Sequence, residues 1–235
     1  MRTGTLVRAV PHNVPVPMCS VLNSFGRQVN FAAQAAERMI YMKILLGTNN
    51  AHKAQEIRDM LPGHEIVRPM DIGLDLDVEE NGKTFEDNAI IKARAFAKAS
   101  GLVTLADDSG LEVDCLNGEP GIYSARYCPK PGADDADRRQ YLLQNIRKCG
   151  AERPWHARFV CEIAVVFPGE HRTILSRGTC EGEIIPEERG HSGFGYDPIF
   201  YKPDKGMTLA EMTEEEKNAI SHRGNAVKKI ASLLD

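Results

Sequence analysis

Asp107 and Asp108 stand side by side after the apolar run Leu102 to Ala106, and Ser109-Gly110 follows at once. Two adjacent carboxylates at the mouth of an interior strand are costly unless a divalent cation, a positioned water or a basic partner uses them. A plain Asp-Ser-Gly turn, in which an Asp caps its own loop, fits the same residues. Other stretches supply parts that can hold phosphate. Gly47-Thr48-Asn49-Asn50-Ala51-His52-Lys53 follows the short strand-like run Lys43-Ile44-Leu45-Leu46 and opens a segment with Ile57, Met60 and Leu61 on one helical face. A strand, a small polar loop and a helix N-terminus direct backbone N–H groups and the helix dipole at an anion, and Lys53 adds a point charge one turn in. This is not a Walker loop, and an Asn N-cap beside a solvated Lys is the plainer reading of the same residues. Asn88 and Lys92 stand one helical turn apart and can share an edge. Gly193-Phe194-Gly195-Tyr196-Asp197-Pro198 offers stacking rings between glycines that let a flat or charged ligand come close. Ser221-His222-Arg223, with Lys217, forms a compact basic cluster suited to phosphate or to the polar edge of a base.

The elements that must position these residues follow from periodicity. Leu102–Ala106 reads as a strand closed by a turn at Ser109-Gly110, and Glu65-Ile66-Val67 as a second short strand. Thr84-Phe85-Glu86-Asp87 opens a helix over about 85–100 with Gly101 as its stop. Ala89, Ile90, Ala93, Phe96 and Ala97 give that helix a small-residue face for a sheet. Gly118 to Tyr127 reads as a tight turn and an extended piece, followed by a helix over about 134–147. Phe159, Cys161, Ile163, Val165 and Phe167 alternate along a long strand with one strongly apolar face. Pro168-Gly169 turns it into a partner near Thr173 to Leu175. The expectation is an antiparallel hairpin added to a partly parallel sheet. Thr213-Glu214-Glu215-Glu216 caps a short helix through Lys217, and a last helix carries Ala226, Val227, Ile230, Leu233 and Leu234 inward after Ser221-His222-Arg223.

At 235 residues, with 42% hydrophobic and 26% charged residues and a net charge of −4, the chain suits one medium α/β domain, or a domain with an appendage. The mild acidity argues against a nucleic-acid binder, which carries a basic face. No apolar run reaches the length of a membrane span, so no membrane partner is expected. The six cysteines are spread without a Cys-x-x-Cys pair, as in a reduced cytoplasmic protein. Residues 1–41 differ from the rest. They carry Arg2, Arg8, Arg27 and Arg38 against one acid, Glu37, and are broken by Pro11, Pro15 and Pro17. They read as a dispensable N-terminal extension, disordered or upstream of a true start at Met42, with an organellar transit peptide as the competing reading.

From Met42 onward the chain resembles the inosine triphosphate pyrophosphatase family of the Ham1 type. The resemblance rests on Thr48 to Lys53, Glu79-Glu80-Asn81-Gly82-Lys83-Thr84-Phe85-Glu86-Asp87-Asn88-Ala89, Ala106 to Gly110, Pro120-Gly121-Ile122-Tyr123-Ser124-Ala125-Arg126, Gly193 to Phe200 and Ser221 to Arg223, in the family's order. It implies an elongated α/β domain with a central mixed β-sheet flanked by helices and a cleft between two lobes, and a homodimer. The implied activity is Mg²⁺-dependent hydrolysis of ITP, dITP and XTP to the monophosphate and pyrophosphate. By position, Thr48, Asn49, Asn50, Ala51, His52 and Lys53 would bind the triphosphate, with Lys92 as a further contact. Asp108 would activate water and hold metal, with Ser109 beside the substrate. Glu79 would be the second metal acid, or Glu80 if the loop aligns one residue differently. Phe194, Gly195, Tyr196, Asp197, Lys217, His222 and Arg223 would form the base pocket. Many relatives have Thr-Gly-Asn where this chain has Thr48-Asn49-Asn50. Asn accepts a left-handed backbone better than most residues, so the loop is expected to keep its shape. A Maf-like pyrophosphatase acting on modified pyrimidine nucleotides and a non-catalytic nucleotide-binding module are the alternatives. The Phe194 and His222 stretches weigh against the first, and the retained acids against the second.

Overall fold

The computed structural model describes residues 41–170 and 172–234, together with two short strands, β1 (Val21–Leu22) and β2 (Gln28–Val29). The chain divides into a unit of Met1–Met39 and a unit of Ile40–Asp235. In the first unit β1 pairs antiparallel with β2. The expectation of a dispensable extension over 1–41 otherwise lies outside the described residues.

The second unit is built on an open mixed sheet of seven strands: β3 (Lys43–Leu46), β4 (Glu65–Val67), β5 (Val103–Val113), β6 (Trp155–Val166), β7 (Thr173–Ile184), β8 (Phe200–Lys202) and β9 (Met207–Thr208). Their order is β4-β3-β5-β6-β7-β8-β9. β3 runs parallel to both β4 and β5, and every other pairing is antiparallel. Among the described residues five α-helices flank the sheet: α1 (Ala51–Met60), α2 (Phe85–Ser100), α3 (Asp135–Cys149), α4 (Glu214–Ile220) and α5 (His222–Leu234). The expected fold class and the antiparallel hairpin are both present. Among the described residues no helix is long and apolar enough to cross a membrane.

Alternation along the long strands sorts the core into layers. Cys161, Ile163 and Val165 of β6 pack with Ile57 of α1 and Ala226, Val227 and Ile230 of α5. Ala164 and Val166, on the other face, meet Ala89, Ala93 and Ala97 of α2. The strand expected to show one apolar face is therefore covered on both. Further along, Leu111, Val113 and Phe159 pack with Leu142, Leu143 and Ile146 of α3. The helix ends follow their sequence signals. Thr84 Oγ1 accepts from Asp87 N (3.0 Å), and Gly101 closes α2 with φ near 70°. Asp87 takes the N–H of Lys83 instead of completing the capping box.

Three expectations are corrected. Ser109-Gly110 is not a turn: β5 continues through it to Val113, paired residue by residue with β6. The glycine there serves a close approach, because a Cβ would meet Gly121 O and, at 2.5 Å, Ser124 Oγ. The stretch expected to be extended is a 3-10 helix over Gly121–Arg126. Its Ser124 Oγ accepts from Leu111 N (2.8 Å) and caps the edge of β5. The last helix begins at His222 itself, so His222 and Arg223 form its first turn and do not precede it.

Candidate active site

β3 stops at Leu46, opposite Leu105, while β5 runs eight residues further. Gly47 N still donates to Leu105 O (2.8 Å), and then the chain leaves the sheet into α1. The edge of β5 beyond Leu105 is thus left open at the carboxyl end of β3, which has parallel neighbours on both sides. That is where ligands collect in open α/β sheets. A cleft of about 310 Å³ lies there. Thr48, Asn50 and Lys53 line it from the β3–α1 loop, and Lys92 from α2. Asp108 and Ser109 line it from β5, and Phe194, Gly195, Tyr196 and Asp197 from the loop before β8. Lys217, His222 and Arg223 complete it from α4 and α5. Residues far apart in the chain, singled out by type and spacing, thus share one cavity. Asn49, Ala51 and His52 are exposed beside the cleft and do not line it. Glu79 is exposed as well, whereas Glu80 is half-buried, lines the cleft and pairs with Lys92 at 3.0 Å.

The β3–α1 loop has the geometry of an N-cap. Asn50 Oδ1 accepts from His52 N (3.0 Å) and Lys53 N (3.2 Å), and Thr48 Oγ1 accepts from Asn50 N (3.1 Å). α1 has no acid in its first turn, so its positive end stays available to an anion. Among the described residues Asn117 is the non-glycine with positive φ. Asn49 therefore stands in ordinary backbone, and the replacement of glycine there needs no left-handed tolerance.

Being consecutive on a strand, the twin acids point to opposite faces. Asp107 goes to the α1/α5 side, where Lys53 Nζ lies 3.1 Å and Arg223 Nη2 3.1 Å from its Oδ2. Burial would raise its pKa, but Lys53, Arg223 and Lys92 outweigh burial and hold it well below the ordinary range. Asp108 goes to the α2 side and, among the described residues, has no ion pair. Its oxygens accept from Asn88 Nδ2 (3.0 Å) and from Ser109 N (2.9 Å). Burial raises its pKa, and Lys92, Asn88 and Lys53 only partly offset that rise. One acid is locked as an anion; its neighbour keeps the proton affinity of a base.

Asp107 belongs to a buried chain of charges that sequence reasoning did not assemble. Arg223 bridges Asp107 and Glu56, and Glu56 Oε1 also accepts from Lys217 Nζ (2.7 Å). Lys217 Nζ in turn donates to Asp197 Oδ2 (2.9 Å). Glu56 sits on the inner side of α1, one turn after Lys53. That spacing was the one available signal, and it does not distinguish Glu56 from a solvated helix acid. Three cations, Lys53, Lys217 and Arg223, face three carboxylates, Glu56, Asp107 and Asp197, so the chain is internally balanced. Burial opposes ionisation of Glu56, yet Arg223 and Lys217 keep its pKa lowered. Breaking one partner of such a network is costly, because it strands a buried charge.

At the other end of the cleft, the Phe194 loop is tied down by its backbone. Phe194 N donates to Asp197 Oδ2 (2.9 Å), Gly195 N to Asp135 Oδ2 (2.7 Å), and Arg139 Nη1 to Gly195 O (2.8 Å). Tyr196 Oη donates to Ser124 O (2.9 Å). Asp135 and Arg139 of α3 were not foreseen, since their partner atoms are backbone groups that a sequence does not display. Lys217 Nζ lies 5.1 Å and the Arg223 guanidinium 5.9 Å from the Phe194 ring centre. His222 stacks on Phe159, with centroids 4.7 Å apart and planes at 14°. Burial, with Arg223 and Lys217 near, holds its imidazole well below the usual 6.5, so it is neutral at pH 7. His222 Nδ1 is buried without a hydrogen-bond partner among the described residues.

Gly178 sets the depth of α5. A Cβ there would meet His222 O and, at 2.5 Å, Ala226 N. Gly178→Ala is expected to push α5 off β7 and destabilise the protein by about 1–3 kcal/mol, as overpacking does. Thermal melts would show this, with His222 and Arg223 displaced from the cleft.

The sequence pattern of the Ham1 family matches residues 44–233. A Bacillus subtilis (strain 168) protein named dITP/XTP pyrophosphatase is 46% identical over 202 residues, covering 84% of this chain and 100% of that protein. A Staphylococcus aureus (strain MRSA252) protein of the same name is 43% identical over 192 residues, 82% of this chain and 96% of its own. Among solved structures, a HAM1 protein from Coxiella burnetii superposes with a TM-score of 0.75 at 41% identity, covering 82% of this chain and 98% of that one. The Staphylococcus aureus Ham1 protein gives 0.72 at 42%, covering 82% and 97%. The chain belongs to the Ham1 family.

Proposed function

We propose that the chain hydrolyses the non-standard purine nucleoside triphosphates dITP, XTP and ITP to the monophosphate and pyrophosphate, removing them from the nucleotide pool. The observation that carries this is one cleft joining a helix N-terminus suited to phosphate, a buried carboxylate of raised pKa, and a ring platform beside a neutral His and an Arg. The names of the relatives at 43–46% identity support it. Asp108 takes the proton of the water that cleaves the α–β anhydride. Lys53 and Lys92 offset negative charge on the phosphates as the bond breaks. Ser109, on the strand face of Asp107, donates or accepts beside the substrate. His222 and Arg223 present donors to a purine 6-oxo group, where adenine would present an amine of the wrong sense.

The acids suit Mg²⁺ as partner. Among the described residues no group of three or more potential ligands gathers at one point. Mg²⁺ typically uses one or two carboxylates and completes its shell with waters and substrate phosphates. Asp108 and Glu80 would hold it, since both line the cleft and Glu79 does not. When bound, it would neutralise phosphate charge during cleavage. Glu80→Gln is expected to raise the Mg²⁺ concentration for half-maximal rate about tenfold, and Glu79→Gln to leave it within about twofold. Mg²⁺ titrations of both variants decide which acid acts. A homodimer and a cytoplasmic setting complete the reading, and sedimentation checks the first.

Pyrophosphate release should be measured from dITP, XTP, ITP, GTP, ATP and dTTP with Mg²⁺. Fast release from the first three alone is expected. Preference for a pyrimidine would move the chain to Maf-like chemistry, and tight binding without turnover would make it a nucleotide-binding module.

A further inference from the structure

We propose that His52 is a positioning residue for the base, not a triphosphate ligand: its imidazole backs the Phe194 ring and fixes the plane on which the purine stacks. This rests on the reading of the cleft as a purine nucleotide site. The rings of His52 and Phe194 are stacked, with centroids 5.4 Å apart and planes at 20°. Phe194 lines the cleft and His52 does not, so the imidazole covers the ring from outside and leaves it a face or edge toward the nucleotide. Consecutive helix residues point about 100° apart. Lys53 therefore turns inward to Asp107 while His52 turns outward to Phe194.

Both partners are held at the backbone. Asn50 Oδ1 accepts from His52 N at 3.0 Å, and Phe194 N donates to Asp197 at 2.9 Å. What the backbone leaves free is the rotation of the Phe194 side chain, and His52 supplies a neighbour that removes it. The same Asn50 cap also shapes the phosphate end of the cleft. One turn of α1 thus ties the site of the triphosphate to the site of the base, and His52 is its link to the base side.

The test uses the full chain with His52→Ala, His52→Phe and His52→Gln. Losing a stacked ring contact corresponds to about a 3- to 10-fold change in affinity. His52→Ala is expected to raise KM for dITP by that factor with kcat within about twofold, and to leave the inhibition constant of inorganic triphosphate unchanged. His52→Phe should restore KM and His52→Gln should not, because the ring acts and not its hydrogen bonding. His52 is exposed, so the melting temperature should hold in all three. An unchanged KM in His52→Ala overturns the proposal. So does an equal loss of triphosphate inhibition, which would make His52 a phosphate ligand, or failure of His52→Phe to restore binding. Calorimetric binding of inosine monophosphate needs no turnover. If the wild-type chain fails to hydrolyse dITP but His52→Ala still weakens that binding, the activity reading falls and the role of His52 stands.

Discussion

Asp108→Asn is expected to lower kcat for dITP by about a thousandfold and, at the same time, to remove an electrostatic cost of folding at neutral pH. A positioned general base contributes roughly 10²–10⁴ in rate. The amide keeps the shape of the carboxylate but only one of the two acceptor oxygens that Asn88 Nδ2 and Ser109 N use, and it cannot take a proton. The electrostatic part of the stability change has a definite sign. The pKa of Asp108 is raised above its unfolded value of 3.8 because burial outweighs the help of Lys92, Asn88 and Lys53. A raised carboxyl pKa favours the fold at low pH, and that contribution is lost as pH rises through the folded value. At neutral pH the ionised group is a net cost, and a neutral isostere removes it. The same rise places an acid limb on kcat/KM above 3.8 in the wild type, with activity falling as Asp108 protonates. Pyrophosphate release across pH, beside thermal melts, reads all three effects. A variant with near-normal rate would take the base assignment away from Asp108.

Asp107→Asn, one residue earlier, is expected to act in the opposite direction on stability. Asp107 is the shared partner of Lys53 and Arg223, and all of its neighbours are buried or nearly so. Removing its charge leaves two cations to repel in the interior, a loss of about 3–5 kcal/mol. For a chain of this size that corresponds to a melting temperature lower by roughly 10 °C. The pKa of Asp107 is depressed, so its stabilisation is present above the unfolded value of 3.8 and is lost only as pH falls through the lower folded value. In the variant this acid-labile contribution disappears. Activity at low temperature should fall less than in Asp108→Asn, because the proton acceptor remains. Urea melts at pH 7 and pH 4 distinguish the two acids: the gap between wild type and Asp107→Asn persists at both, since the folded pKa lies below this window.

The contrast between the two acids also marks what could be read in the chain before its structure. Their adjacency at an apolar strand was legible, as were α2 with its Thr84 and Gly101 ends, the long hairpin and the phosphate-type loop after β3. Each depends on local pattern, namely capping, periodicity or turn chemistry. Ser109-Gly110 misled because the same dipeptide serves a turn or a close approach. The choice is made by Ser124 packing across β5 from fourteen residues later in the chain. Glu56 carried only its one-turn spacing from Lys53, and Asp135 and Arg139 carried no signal. Their partners are Arg223, Lys217 and the backbone of Gly195, contacts that exist only once distant elements meet. Glu80 in place of Glu79 is a question of which of two neighbouring acids turns inward, and the loop has no period to decide it.

β6 is paired along its length on both sides, with β5 through Thr104–Val113 and with β7 through Thr173–Ile184. Such a doubly bonded strand opens only when the whole domain does, whereas loops tied by a few hydrogen bonds open at far lower free energy. Asp108 sits opposite Glu162 inside that pairing. Thr48 to Lys53 and Phe194 to Asp197 lie outside it. The carboxylate proposed to take the proton is therefore fastened to the most fully paired layer of the sheet, and the loop residues of the cleft lie outside that pairing. Breathing at the rim leaves Asp108 in register.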